Sequence, residues 1–597
     1  MSGQGVWGLG FSPAAASVLS QLHAAGVIQG HLEGSADLRK HWHQAQAFVV
    51  VGACGLVVRQ IAPLLQGKDQ DPAVVVVDPQ GAFAIPLLGA HQAGGDSLSQ
   101  RVAAVLGAQV AATGACSGAG RLALDSFGRA WGWRQNSAGD WSGLMQRAAR
   151  DEQAVRVCQE AGSRHWQTLP AAGGITISPA PGLGDQQPPG ETKPDLLISH
   201  RQGPGCRWHP PSLWLGMGCE RNTSLELLER LVDDTLRTHG LATEAVAGIA
   251  SIDRKADEPA LLDLAHRRQW PVRWFSAAQL TPVAVPNPSA AVAEEMGTAS
   301  VAEAAALLGA GPGGQLLVPK TILHRQGEER GAATLAISLA DEQWAPTQGA
   351  LHLVGSGPGR LDLLTPEARR VLAEASVWVG YGLYLDLIEP LRRPDQLRCD
   401  GRLTQERERC ALALALANQG LTVALVSSGD SGIYAMAGLA LELWLQQPTD
   451  ARPRFAVHPG ISALQLAAAR AGAPLMHDFC TISLSDRLTP WAVIEQRLQA
   501  AAAGDFVVAL YNPRSRDRDW QLGRAREILL QGRPAHTPVV VARQLGRSEE
   551  EVSLHTLGEL PLESVDMLTL VLVGNSTSRC DGAWMVTPRG YPGAELA

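Results

Sequence analysis

No cysteine pair in this chain has C-x-x-C spacing, and the nine cysteines are scattered and odd in number. That disfavours both a zinc site and a disulfide frame, so reduced thiols and no metal are expected. No stretch reaches the roughly 18 uninterrupted apolar residues of a spanning helix. The opening MSGQGVWGLGF lacks the basic region of a secretory leader. Positive charge is also short: the net charge is −8, which leaves no basic footprint for nucleic acid. A cytoplasmic, soluble protein with neither nucleic acid nor membrane as partner is expected.

What is present is ordinary for a globular chain, 45% hydrophobic and 18% charged, and 597 residues is too long for one core. About three to five domains are expected. The sequence reads as α/β throughout, divided into 1–124, an uneven tryptophan-containing stretch 125–211, 212–340, a linker 341–348, 349–580 and a tail 581–597. In the first part, strands VWGLGF, FVVVGACG and AVVVVD alternate with helices at Ser12 to Gly26 and around Leu56 to Leu65. The continuous run Val74 to Val77 fits a strand covered on both faces. Asp71-Pro72 reads as a turn and His91 as a polar residue at a helix start. His41 to His43 and Trp208-His209 have too few further ligands at suitable spacing for a metal. From Leu213 a strand, a Gly216/Gly218 turn and an amphipathic helix follow, with Thr223 or Ser224 as its cap and Leu225, Leu228, Leu231 and Val232 at helical spacing.

The stretch Leu351 to Thr365 organises the last part. An apolar strand enters a turn with Gly355, Gly357 and Gly359, and Thr365-Pro366-Glu367 opens a helix. It lacks the Lys-Ser/Thr of a Walker loop, and Pro358 removes a backbone N–H that a pyrophosphate would use. By itself such a turn can be a plain connection. Five further stretches follow in order: Val426 to Gly438, Val457 to Gly472, Ile482 to Trp491, Val508 to Ser515 and Leu570 to Ser578. Together these resemble the tetrapyrrole methylases, most closely the precorrin-3B C17-methyltransferase branch of cobalamin biosynthesis.

That resemblance implies two α/β domains with S-adenosyl-L-methionine between them, a tetrapyrrole substrate and a homodimer. It also implies C17 methylation with ring contraction of (cobalt-)precorrin-3 to the precorrin-4 level. On matched motifs, the cofactor is expected at Gly355, Gly357, Pro358, Gly359, Gly429, Asp430, Ile433, Tyr434, Ser462, Ala463, Asn512 and Asn575, with Asp486 on the substrate side. A carboxylate at Asp430 can pair with a sulfonium; its plainer reading is a turn carboxylate. Methyl transfer from a sulfonium rests on alignment more than on a base, so no base is assigned.

Residues 1–124 and 212–340 resemble the two ends of cobalt-precorrin-5A hydrolase, through Gly216 to Arg221, Ser251 to Glu258 and Val318-Pro319-Lys320. The implied reaction opens the ring-A lactone and releases acetaldehyde. It requires an activated water and a group that stabilises the oxyanion. Asp253, Lys255 and Glu258 are the catalytic candidates, with Arg221 and His91 contacting substrate; each can equally be a salt-bridged surface residue. Cys219 has no partner base and reads as packing. Two alternatives stay open: methylation at another ring position, and an N-terminal half that binds tetrapyrrole without catalysis.

Overall fold

The computed structural model describes residues 5–67, 70–90, 93–111, 122–149, 155–168, 174–178, 193–343, 349–393, 396–402, 405–449, 452–515 and 518–592. The architecture is α/β in several units, with six sheets among the described residues.

The first sheet holds β1 Val6–Gly10, β2 Gly30–Leu32, β3 Ala47–Val51, β4 Ala73–Val77, β5 Phe83–Leu88 and β6 Gln109–Val110, in the order β2-β1-β3-β4-β5-β6. All neighbours are parallel except β4 with β5. Every residue of β3 and β4 is buried, as their uninterrupted apolar runs require when helices cover both faces. Asp71 makes the expected turn, its carboxylate accepting from the N–H groups of Gln66 and Gly67 and, at 3.3 Å, from the Trp42 indole.

The tryptophan-containing stretch is a sheet unit of its own. It comprises β7 Arg134–Gln135, β8 Val155–Gln159, β9 Ile175–Ser178, β10 Leu196–Ile198 and β11 Cys206–His209, ordered β7-β11-β10-β8-β9. Trp131, Trp133, Trp141, Trp166 and Trp208 form its core. Three of the buried indoles find acceptors, Trp166 in Gln159 Oε1 at 2.9 Å, Trp208 in the Leu124 carbonyl at 2.8 Å and Trp141 in the Asn136 carbonyl at 3.3 Å. The unevenness of 125–211 thus conceals a regular sheet whose strands are too short to show a period. The Pro/Gly-rich run from Pro179 to Pro194 lies largely outside the described residues.

The third sheet contains β12 Leu213–Cys219, β13 Val246–Ile252, β14 Val272–Phe275, β15 Gln315–His324 and β16 Ala332–Leu339, ordered β14-β13-β12-β16-β15. The amphipathic helix is Leu225–Thr238; Ser224 occupies its cap position without a side-chain cap bond. Ser224 Oγ instead accepts from the Arg330 N–H at 3.2 Å, and Thr223 Oγ1 donates to the Glu220 carbonyl at 2.8 Å. The expected side-chain cap is therefore diverted into fastening neighbouring segments.

The fourth sheet is fully parallel: β17 Ala350–Gly355, β18 Val377–Tyr381, β19 Leu397–Gly401, β20 Thr422–Ser427 and β21 Arg454–His458, in the order β19-β18-β20-β17-β21. After β17 the chain leaves to one side of the sheet, and after β20 it crosses to the other side to form β21. The helix Pro366–Glu374 covers one face through Ala368, Val371 and Leu372, whereas Ala437 and Ala440 of the helix Ala437–Leu445 belong to the core on the other. The ends of β17 and β20 therefore meet at the point where the winding reverses, the usual ligand crevice of an open parallel sheet. A small sheet of β22 Gly472–Ala473, β28 Arg579–Asp581 and β29 Trp584–Val586 follows. The last sheet comprises β23 Phe479–Ser483, β24 Val507–Tyr511, β25 Pro538–Arg543, β26 Glu551–Thr556 and β27 Thr569–Val573, ordered β23-β24-β27-β25-β26. No helix among the described residues is long and apolar enough to cross a membrane.

Candidate cofactor cleft and carboxylate cluster

Three loops converge at the C-terminal edge of the fourth sheet. Gly357 and Gly429 form an antiparallel bridge, with the Gly429 N–H donating to the Gly357 carbonyl at 2.8 Å and the reverse bond at 3.1 Å. Both have left-handed backbone, φ +69° and +65°, which glycine adopts without strain. A Cβ on Gly355 would lie 2.6 Å from both the Gly429 carbonyl oxygen and the Gly460 nitrogen. One on Gly460 would lie 2.6 Å from the Gly355 oxygen and closer still to that of Gly429. The loops after β17, β20 and β21 thus touch backbone to backbone.

Asp430 ties two of these loops together. Its carboxylate accepts from the N–H of Gly432 at 2.8 Å and of Gly460 at 3.1 Å. It is a turn carboxylate that also spans to the next loop, with lone pairs left over for a cation. Ser462 caps the helix Ala463–Ala471 in a reciprocal capping box with Gln465, placing Ala463 at the first helical position. Ile433 and Tyr434 are 38% and 50% exposed, so the loop after β20 presents apolar surface to the cleft.

The last sheet forms the opposing wall. The Tyr434 hydroxyl donates to the Thr481 carbonyl at 2.9 Å, and its ring lies 5.2 Å from that of Tyr511. Tyr511 Oη accepts from the Leu464 N–H at 3.1 Å; burial pushes this phenol up, against that hydrogen bond. Asn512, at φ +50°, donates from Nδ2 to Ser483 Oγ at 3.0 Å. Asn575 is buried, and its amide oxygen is taken up by its own turn, accepting from Thr577 N–H and Oγ1 and from Ser578 Oγ. Asp486 accepts from Gln521 Nε2 at 3.1 Å. Pro358 and Gly359 pack against Gly546, so the first glycine loop also meets this wall.

The sequence did not single out what anchors the Pro459-Gly460 turn from behind. His458 Nδ1 lies 2.7 Å from Glu367 Oε1, its Nε2 lies 2.9 Å from His352 Nδ1, and Thr365 Oγ1 donates to the Pro459 carbonyl at 3.3 Å. Burial pushes His352 down to about 4, helped by the charges of His458 and Arg454. Two histidines in adjacent apolar strands were the available signal.

A second cluster sits at the C-terminal edge of β12 and β13. Arg221 donates to Asp257 Oδ1 at 2.5 Å and to the Arg254 carbonyl at 2.7 Å, and lies 3.7 Å from Glu258. Glu258, 1% exposed, accepts from the Asn222 N–H at 2.9 Å. Lys255 is 4% exposed, whereas Asp253 is exposed on the same short turn. Burial pushes the Cys219 thiol up to about 11, with Lys255 the main opposing charge. Arg221 and Glu258 are brought together, Lys255 is buried on the turn beside them, and Asp253 is exposed. His91 lies outside the described residues, and no group of three or more His, Cys, Asp or Glu among them is placed to hold a metal.

Comparison with known proteins finds separate matches along the chain. Residues 350–561 match the family model described as tetrapyrrole (corrin/porphyrin) methylases. The "Probable cobalt-factor III C(17)-methyltransferase" of Salmonella typhimurium is 48% identical over 241 residues, which cover 40% of this chain and 99% of that protein. The chain belongs to the tetrapyrrole methylase family. A second member, the precorrin-3B C(17)-methyltransferase of Sinorhizobium sp, is 43% identical over 252 residues, 41% of this chain and 98% of that protein. The solved structure of the methyltransferase CobJ is 42% identical and covers 40% of this chain and all of that one, with a TM-score of 0.39. Ahead of the methylase part, residues 36–117 and 213–338 match the models for the cobalamin synthesis G N-terminal region and C-terminus.

Proposed function

We propose that residues 349–580 bind S-adenosyl-L-methionine and a tetrapyrrole, and methylate carbon 17 with ring contraction of (cobalt-)precorrin-3 to the (cobalt-)precorrin-4 level. The observation that supports this reading is the backbone-to-backbone contact of Gly355, Gly429 and Gly460, which a Cβ on Gly355 or Gly460 would force apart. The names of the two relatives supply the position on the ring. When bound, the cofactor supplies a methyl group already activated on sulfur. The chain contributes alignment: the Gly355–Gly359 loop, Asp430, Ser462 and Ala463 hold one side, and Tyr434, Asn512 and Asn575 shape the other. Asp430 keeps a carboxylate close to where a sulfonium would lie, and Asp486 faces substrate.

In this reading residues 1–124 and 212–340 form the two ends of a hydrolase that opens the ring-A lactone of cobalt-precorrin-5A and releases acetaldehyde. Residues 125–211 are its middle segment, 341–348 a linker and 581–597 a tail, and the enzyme works in the cytoplasm as a homodimer. Lys255 and Arg221 stabilise negative charge developing on the lactone oxygen, and Glu258 handles the proton of the attacking water. One observation favours a second reading for this half, tetrapyrrole binding without catalysis: Glu258 already accepts from Asn222 and faces Arg221.

The test is the full chain incubated with S-adenosylmethionine and cobalt-precorrin-3, followed by mass spectrometry. A gain of one methyl group at carbon 17 supports the methylase assignment; cofactor binding without methyl gain, or a methyl at another carbon, overturns it. Acetaldehyde from cobalt-precorrin-5A decides between the two readings of the other half.

A further inference from the structure

At the same C-terminal edge as the glycine loops, β18 ends in Tyr381, and the helix Gly382–Ile388 carries Tyr384. Their rings meet edge to face, centroids 5.2 Å apart and planes at 88°. Leu383 between them is 38% exposed. Approaching this helix from the last sheet is Arg547, in the turn between β25 and β26. Gly359, at φ +145°, explains the approach: a Cβ there would lie 3.3 Å from Arg547 Cγ, 3.4 Å from Leu387 of the tyrosine-bearing helix and 2.9 Å from the Gly546 oxygen. The missing side chain lets the arginine of one wall reach the helix of the other.

These groups have polar capacity to spare. Among the described residues, the Arg547 guanidinium and both phenols make no hydrogen bond or ion pair. The other cation near Tyr384, Arg409, is already committed to Glu406 at 3.3 Å and to the Arg402 carbonyl. Burial pushes the Tyr384 phenol up, with Arg547 the main opposing charge, so it stays a neutral donor. A guanidinium fork from one wall and a phenol O–H on the helix it approaches, beside an aromatic edge and an exposed leucine, suit a carboxylate carried on a flat apolar ring.

We propose that Arg547 and Tyr384 form a subsite that grips one peripheral carboxylate of the tetrapyrrole, with Tyr381 supporting the macrocycle edge. This rests on the methylase reading above and adds to it the residues that orient the substrate. Because the two groups come from opposite walls, the grip requires the cleft to be set around the ring, and it fixes which ring edge faces the cofactor.

The experiment titrates the full chain, saturated with S-adenosylhomocysteine, with uroporphyrin III, whose side chains are acetates and propionates, and follows porphyrin fluorescence. Arg547→Gln is expected to weaken porphyrin binding about ten- to a hundredfold and Tyr384→Phe about three- to tenfold. Arg547→Lys should recover part of the loss. In each variant S-adenosylhomocysteine affinity, measured by calorimetry, stays at the wild-type value, which also reports an intact fold. Unchanged porphyrin affinity in the Arg547→Gln, Tyr384→Phe double variant overturns the subsite. Wild-type protein that binds S-adenosylhomocysteine but no porphyrin also overturns it while leaving the cofactor cleft standing. Failure of both ligands removes the methylase reading itself.

Discussion

Replacing Gly460 with alanine tests the cofactor cleft at its tightest point. The added methyl would lie 2.6 Å from the Gly355 carbonyl oxygen and closer to that of Gly429, so the turn must withdraw. Withdrawal breaks the bond from the Gly460 N–H to Asp430, 3.1 Å long. Overpacking costs about 1–3 kcal/mol, and a hydrogen bond to a charged group contributes about 1.5–3 kcal/mol. If the turn relaxes by moving out, most of that sum reappears as lost affinity, about a hundredfold or more. Isothermal calorimetry with S-adenosylhomocysteine measures it, and thermal unfolding separates local from global damage. Gly438 is the control: it sits in the helix Ala437–Leu445 with nothing within 4 Å of an added Cβ. Gly438→Ala should bind normally and gain up to about 1 kcal/mol of stability. Wild-type affinity in a folded Gly460→Ala protein would refute the reasoning, because it would mean that the contact of the three loops does not shape the ligand site.

Other expectations follow from the same geometry. Folded His352 titrates at about 4, below the roughly 6.5 of an unfolded histidine, so unfolding takes up a proton between those values. Stability contributed by neutral His352 is present above about pH 6.5 and is lost as pH falls toward 4; the decline in Tm across that window should be shallower in His352→Gln. Glu303, fully buried, accepts from the Asn287 N–H and Nδ2 and from the Lys320 N–H. Glu303→Ala removes these hydrogen bonds to a buried carboxylate and should lower unfolding free energy by about 1.5–3 kcal/mol in urea titration. Lys255→Met keeps volume and removes a buried cation, so acetaldehyde release from cobalt-precorrin-5A should fall at least about a hundredfold. Methyl transfer should be unchanged, and equal loss of both would sink the separate-site assignment.

The sequence by itself determined the elements and their chemical punctuation. The unbroken apolar run of β4, the helical spacing of Leu228, Leu231 and Val232, and Thr365-Pro366 at a helix start are local patterns, set by the periods of strand and helix. Thr365 does cap its helix, accepting from the Ala368 N–H at 3.1 Å. The glycine turn was legible for the same reason, since positive φ at Gly357 and Gly359 is a property of those residues. The tryptophan-containing sheet was not, because its strands are short and its core is built from indoles spread along the chain. Tertiary structure alone decided that Gly460 must be a glycine, since the atoms excluding its Cβ belong to Gly355 and Gly429. It likewise turned Asp430 into a tie between loops, joined His352, His458 and Glu367, and separated exposed Asp253 from buried Lys255 and Glu258 within a single turn. Those relations link residues up to 106 positions apart, and strand order, which no local period encodes, brings them together.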